Sequence, residues 1–539
     1  MKIGKSIPFL FIFVSVCFIS HGQSYDRFEL YVNELVEANQ FSGNILLAKG
    51  DKIVFEKAFG PASIKENSPN EINSQFQIGS ITKTYTAAAV MRLMEEGKLN
   101  LNDPLSNYLA LFPKAEQITI EDLLSHRSGI KNYTERSDIG EWMYSEQTPI
   151  EVIEKVLDDP FLFEPGSLHS YSNTNYVLLG IIIEQITGLS YEEYLTKVVL
   201  NPLDLRETGF DYRNAANLSE GFIGADDGWY EQKPVDPSVP FAAGCMYSTV
   251  RDMYAFSKSF FSGKPFKNPS TMQRMTNFDS GFYGLGIFTR EHNGEIYIGH
   301  NGGIDGYSAS WQYYEDYDLH LIVFSNSFNA EIDKVSGAAL LAFLEKDIEL
   351  PSERTQVELN EDQLHRLEGT YSLQEGFDLF VYHEGTQLFA QATGQGPFML
   401  FAKNDTSFYA DVGGIEINFR LALTDEYAKG LTLYQGGETY APRKIDGPKE
   451  IELPISELKM LEGTYELQPN FNLEVFIENG TLFAQATKQE AFKLFPESRS
   501  SFFTKGPGIR IEFFFDKFGE TEGLNLIQGG GTYKATKMN

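Results

Sequence analysis

Residues 77–97 read QIGSITKTYTAAAVMRLMEEG. The pattern is that of a long amphipathic helix closed by Gly97, with a lysine in its first turn, three places after Ser80. A cation at that end opposes the helix dipole by ~0.3 to 1 kcal/mol. Lys83 is therefore either a surface residue bearing a small penalty or an amine held neutral for a purpose. The spacing Ser80-x-x-Lys83 gives the purpose: i and i+3 share a helix face, and a serine hydroxyl becomes a nucleophile when a base takes its proton. Burial lowers a lysine pKa enough for that task, and the dipole pushes the same way. Backbone N–H groups at the helix start can also stabilise an oxyanion.

The same pattern recurs at Ser128–Lys131 and Ser456–Lys459. Ser128 stands in a turn-like SGIKNY and Ser456 in a charged linker, so only Ser80 opens a long helix. The competing reading of Ser80, a plain helix cap, is weighed against two further motifs. Tyr171-Ser-Asn173 lies in a polar loop ahead of the apolar helix YVLLGIIIEQITG, closed by Gly188. There a phenol can share a proton with the lysine and protonate a leaving group, and an amide can meet a substrate carbonyl; helix capping is the other reading of Asn173. The similar Tyr31–Asn33 falls inside a helical RFELYVNELVEA, where Tyr31 reads as core. His300-Asn-Gly302 follows the strand EIYIG, and its two glycines let a ligand approach the backbone. His292-Asn-Gly294 reads instead as a type I′ hairpin turn.

Around these motifs, GNILLAKGDKIVFEKAFG near the start reads as a hairpin, and residues 296–326 read as a set of strands. Strands at both ends with helices between predict an α+β domain over residues 23–350 whose sheet joins the two termini of the domain. The last third is a tandem repeat: LEGTY begins at Leu367 and Leu461, and LFAQAT at Leu388 and Leu482, both 94 residues apart. Period-two runs such as FDLFVYHEG and QLFAQATG give about eight strands per copy. They predict two small up-and-down, lipocalin-like barrels at 363–445 and 459–539.

The N-terminus MKIGKSIPFLFIFVSVCFISHG reads as a secretory signal peptide over residues 1–22, too short to span a membrane comfortably. Its removal deletes two lysines and no acid, taking the formal charge from −31 to −33. Such an acidic exported chain, periplasmic or secreted, is a poor partner for nucleic acid or anionic lipid. Cys245 is then the remaining cysteine, so no intramolecular disulfide forms. With no Cys/His cluster and no H-E-x-x-H, the sequence supports neither a metal site nor a cofactor.

In this order, Ser80-x-x-Lys83, Tyr171-x-Asn173 and His300-x-Gly302 resemble the serine β-lactamase (class C) and penicillin-binding-protein-like family, the S12 serine peptidases. ITIEDLLSHRSGI, FEPG, NPLDLRETGF and AAGCMYSTVRDMYAF resemble segments of the same family, over about residues 30–345. The resemblance implies a β-lactamase/transpeptidase-like fold, an antiparallel sheet flanked by helices plus a helical subdomain. It implies Ser80 as acylated nucleophile, Lys83 and Tyr171 as acid/base pair, and Asn173, His300, Gly302 and Gly303 on the substrate side. The N–H groups of Ser80 and Gly303 would form the oxyanion hole. β-Lactamases of the group carry lysine where His300 stands; H-x-G resembles its D-aminopeptidases and esterases, which similarly carry C-terminal barrels. The expected activity is hydrolysis of small peptide, amide or ester substrates through an acyl-enzyme, with D-amino-acid peptides as substrate class. A broad esterase or weak β-lactamase, and a catalytically idle peptide- or glycan-binding protein, are the alternatives.

Overall fold

The computed structural model describes residues 21–538 apart from 111, 226, 279–280, 354–355, 375–376, 394, 411–414, 423, 436–437, 446–450, 469–470, 479, 488–490, 505–508 and 529–530. The expected signal peptide, but for its last two residues, lies outside the described residues. The chain divides into two compact units, the first ending at Glu353.

The first unit is built on one antiparallel sheet. Its strands are β1 (Gly43–Lys49), β2 (Lys52–Phe59), β3 (Phe288–His292), β4 (Glu295–Ile304), β5 (Tyr307–Tyr314) and β6 (Leu319–Ser325), in the order β2-β1-β6-β5-β4-β3. β1 and β6 pair from Gly43↔Ser325 to Lys49↔Leu319, so the two ends of the unit meet in mid-sheet as the pattern predicts. Successive residues of β1 serve opposite faces: Leu46 and Ala48 join one apolar core, Ile45 and Leu47 the other. That is why β1 reads as an unbroken apolar run rather than an alternating one. Helices α1 (His21–Glu37) and α5 (Ile332–Phe343) cover one face. On the other lie α2 (Thr82–Glu95), α3 (Asn173–Thr187) and α4 (Val250–Phe261).

α2 corrects one expectation. It is not amphipathic but buried on almost every side, with only Arg92, Met94 and Glu95 less than fully covered. Its threonines are tolerated because loops distant in sequence satisfy them: Thr84 Oγ1 donates to the Gly286 carbonyl at 2.6 Å and Thr86 Oγ1 to that of Ala242 at 2.7 Å. Three alanines on the next turn let neighbours close in; a Cβ on Gly286 would lie 2.5 Å from the Ala87 methyl. Ser456 and Lys459, read as linker, stand instead on the short helix Ile455–Leu461, while two other lookalikes resolve as read. Tyr31 is core, and Asn293 and Gly294, both at positive φ, turn the β3–β4 hairpin.

The second unit holds the two repeats. The later one is a closed barrel of eight strands between Gly463 and Lys537. The earlier one is a nine-stranded sheet between Gly369 and Ile445 that curls round until its ends meet at the bridge Gly430↔Arg443, a less complete closure than that of the later repeat. In the later repeat one strand, Gly531–Lys537, pairs with both neighbours and completes the ring. In the earlier repeat the matching stretch breaks into Glu438–Tyr440 and Arg443–Ile445, because Pro442 between them has no N–H for the ladder. Among the described residues no helix is long and apolar enough to cross a membrane.

Candidate active site

Ser80 does not stand in α2 itself but in the one-turn 3₁₀ segment Gly79–Ile81 that leads into it. Gly79 has φ +48°, and a Cβ there would lie 2.9 Å from both the nitrogen and the oxygen of Gly303. On the facing strand, a Cβ on Gly302 would lie 1.9 Å from the Ile78 carbonyl oxygen. Glycines on both sides thus let β4 pack edge-on against the turn carrying Ser80. Gly303 is exposed and Ser80 partly so, which leaves their N–H groups at an accessible face.

Lys83, one turn on, is completely buried. Its Nζ reaches Ser80 Oγ at 2.9 Å, Asn173 Oδ1 at 2.7 Å and the Ala243 carbonyl at 2.7 Å. No carboxylate is among these partners, so desolvation drives the Lys83 pKa well below its ordinary 10.5. A neutral amine has two hydrogens and one lone pair. Given to Asn173 and Ala243, the hydrogens leave the lone pair for the Ser80 hydroxyl. Ser80 is not at the capping position of either segment, since Ile78 precedes the 3₁₀ turn and Ile81 precedes α2.

Tyr171 closes the group from the other side. Lys83 Nζ lies 4.9 Å from its ring centroid. Burial raises its phenol pKa, and a hydrogen bond with Ser80 offsets part of that rise. Asn173 begins α3, yet its side chain is not spent on capping: besides accepting from Lys83, Nδ2 donates to Thr134 Oγ1 at 3.3 Å.

The structure therefore brings together Ser80, Lys83, Tyr171, Asn173, Gly302 and Gly303, and places His300 differently. Read from sequence as facing substrate, His300 is 2% exposed with both ring nitrogens occupied. Its Nδ1 lies 2.7 Å from the Asn301 carbonyl, which can only accept, so Nδ1 carries the proton and Nε2 accepts from the Tyr283 hydroxyl at 2.9 Å. Burial first, and Lys83 second, push its pKa down to about 3. His300 is thus a neutral acceptor that orients Tyr283, whose ring meets Tyr171 edge-on at 6.2 Å.

His126 is a residue the motif reading passed over. Its backbone takes φ +57°, and its buried ring lies 4.2 Å from that of Tyr171. The Ser172 N–H donates to its Nδ1 at 3.1 Å, and burial, followed by Lys83, holds its pKa well below the usual imidazole value. The loop that follows grips Tyr171–Asn173 further: Asn132 Oδ1 accepts from the Asn173 N–H at 3.1 Å, and the Lys131 carbonyl accepts from Thr174 Oγ1 at 2.8 Å. The signal was present in ITIEDLLSHRSGI, but only the fold shows that this segment backs the tyrosine.

Comparison with known proteins agrees with this geometry. The Beta-lactamase family model matches residues 28–346. Penicillin-binding protein 4* of Bacillus subtilis (strain 168) is 28% identical over 440 residues, covering 75% of this chain and 95% of that one. Teichoic acid D-alanine hydrolase of Staphylococcus aureus is 29% identical over 275 residues, 49% of this chain and 67% of the other. Among solved structures, the octameric penicillin-binding protein homologue from Pyrococcus abyssi superposes with a TM-score of 0.58 at 24% identity, covering 87% of this chain and 99% of that one, a likeness of fold. With a family match over most of the first unit and a serine–lysine pair at its centre, this chain belongs to the Beta-lactamase family and is a serine hydrolase.

Proposed function

We propose that the protein is an exported hydrolase that cleaves amide or ester bonds of small D-amino-acid-containing substrates through an acyl-enzyme on Ser80. The observation that carries this reading is the fully buried Lys83, 2.9 Å from Ser80 Oγ, with no carboxylate among its hydrogen-bond partners in the described residues. Lys83 takes the Ser80 proton as Oγ attacks the carbonyl carbon. The developing oxyanion is held by the N–H groups of Ser80 and Gly303. The proton passes from Lys83 through Tyr171 to the leaving nitrogen or oxygen, which departs, and the acyl group stays on Ser80. Water then attacks the ester, giving its proton to the same pair, and Ser80 is restored.

Asn173 Oδ1 is bonded to Lys83, so its Nδ2 is the side that can meet a substrate carbonyl. A neutral, buried His300 offers no fixed positive charge for a substrate carboxylate, which favours substrates lacking a free C-terminal carboxylate over penicillins. The D-alanine named for the Staphylococcus aureus relative supports the D-aminoacyl class. Export rests on the signal-peptide reading of residues 1–22.

The test is to treat the folded protein with a fluorophosphonate, locate the adduct by mass spectrometry, and compare D-alanyl esters and amides with a cephalosporin. An adduct on Ser80 and faster turnover of the D-alanyl compounds are expected. A folded protein without that adduct overturns the enzyme assignment here, and faster cephalosporin hydrolysis overturns the substrate class.

A further inference from the structure

The earlier C-terminal repeat contains two histidines, and both converge on one glutamate. His365 ends the short helix Glu361–His365, Glu368 lies just past it, and His383 sits in the strand Phe377–Glu384. His365 Nδ1 lies 2.8 Å from Glu368 Oε2, and His383 Nδ1 lies 2.9 Å from Glu368 Oε1. The three side chains place their ligand atoms within 4.8 Å of one another, and they are 55%, 27% and 18% exposed in chain order.

The later repeat serves as an internal control. It keeps the glutamate as Glu462, whose Oε1 accepts from the Ile477 N–H at 3.0 Å, just as Glu368 Oε1 accepts from the His383 N–H at 3.2 Å. Both repeats also keep the tyrosine that donates to a leucine carbonyl, Tyr371 to Leu367 and Tyr465 to Leu461. Offset by the 94-residue period, however, the two histidines become Lys459 and Ile477. The glutamate is thus part of the repeat's architecture. The imidazoles are not: the same fold closes without them.

We propose that His365, Glu368 and His383 form a binding site for a divalent transition-metal ion of the zinc class. Two imidazole nitrogens and a carboxylate make a donor set that suits zinc, copper and nickel over calcium or magnesium, and three protein ligands leave a fourth position to water. As drawn together now, each ring donates its Nδ1–H to the carboxylate. Binding moves that proton to Nε2 in each neutral ring and frees both Nδ1 lone pairs for the metal. His365 Nε2 already lies 3.5 Å from the Tyr427 hydroxyl, an outer partner able to accept the relocated proton's hydrogen bond. Zinc ligands stand ~2.0 to 2.2 Å from the ion, so the present N···O contacts need open by only a few tenths of an ångström. The ion would tie the helix end to the strand Phe377–Glu384.

The test uses the full chain, stripped with a chelator and dialysed, titrated with ZnCl₂ by calorimetry, alongside His365→Ala and His383→Gln. One saturable equivalent per chain is expected in the wild type, with affinity lowered at least about tenfold in each variant. Cobalt(II) should give the visible absorption of a four-coordinate N/O site in the wild type, and MgCl₂ should give no binding. His365 is half exposed, so its variant folds and keeps the measurement interpretable. Zinc binding that is absent from the wild type, or changed less than tenfold by either substitution, overturns the site.

Discussion

Two serines in the first unit are followed three residues later by a lysine, and the fold treats them in opposite ways. At Ser80 the lysine turns inward, is fully buried, and finds only neutral oxygens. At Ser128 the lysine turns outward, where Lys131 Nζ lies 3.9 Å from Asp159, and the serine is buried instead, donating to Asn175 Oδ1 at 2.7 Å. Serine and lysine stand at the same spacing in both; the solvent each amine meets is not the same. Chemistry belongs to the pair whose lysine has lost its water and gained no counter-charge.

The largest break in this comparison is Ser80→Ala. It should remove fluorophosphonate labelling and lower kcat/KM by about 10⁴-fold or more, with the denaturation midpoint little changed. Activity that survives in the variant would mean that Ser80 is not the nucleophile.

Lys83 gives the next effect, through pH. Its folded pKa is lowered by burial, so between that value and 10.5 the unfolded chain holds one proton more than the folded chain. Stability therefore rises with pH across that window, by up to about 1.4 kcal/mol per pH unit from this group alone. Wild type should gain stability relative to Lys83→Met as pH is raised, whatever constant offset the substitution adds. Below the lowered pKa, kcat/KM should fall about tenfold per pH unit as the base becomes protonated. Parallel stability curves for the two proteins would show a lysine that titrates normally.

Much of this was legible before the fold. The unbroken apolar run of β1, the Asn-Gly hairpin and the glycines at 302 and 303 are local signals, set by pleat, turn and close approach. What escaped depends on partners brought from far along the chain. α2 looked amphipathic because Thr84 and Thr86 are polar, yet carbonyls 202 and 156 residues away receive their hydroxyls. His300 looked like a ligand-facing residue because its motif sits at the strand beside Ser80; its rotamer turned it to Tyr283. His365 and His383 were read past because no short spacing links them, and only strand pairing brings the second within reach of Glu368.

Ser128→Ala sharpens the comparison from the structural side. Ser128 Oγ donates to Asn175 and accepts from the Ile130 N–H at 3.1 Å, both away from water. Losing it should cost about 1 to 3 kcal/mol of stability, read from denaturant unfolding, because a buried acceptor and a buried donor each lose a partner. The rate of Ser80 labelling per folded molecule should stay within threefold. A labelling loss as large as that of Ser80→Ala would give the second motif a chemical role.

Lys131→Ala is the smallest perturbation and the sharpest discriminator. The amine is one third exposed, and its acidic partner keeps another cation without it, since Arg136 Nη1 lies 3.2 Å from Asp159 Oδ2. A pair of this kind contributes at most about 1 kcal/mol. What ties Lys131 to the active site is its backbone carbonyl, which accepts from Thr174 Oγ1 at 2.8 Å and from Ser172 Oγ at 3.4 Å, and alanine keeps that carbonyl. Unfolding free energy should therefore fall by no more than about 1 kcal/mol, with kcat/KM and its pH profile unchanged. A tenfold loss in kcat/KM would place charge at Lys131 in the reaction, and the contrast between an amine stripped of water and one left in it would no longer separate the two serines.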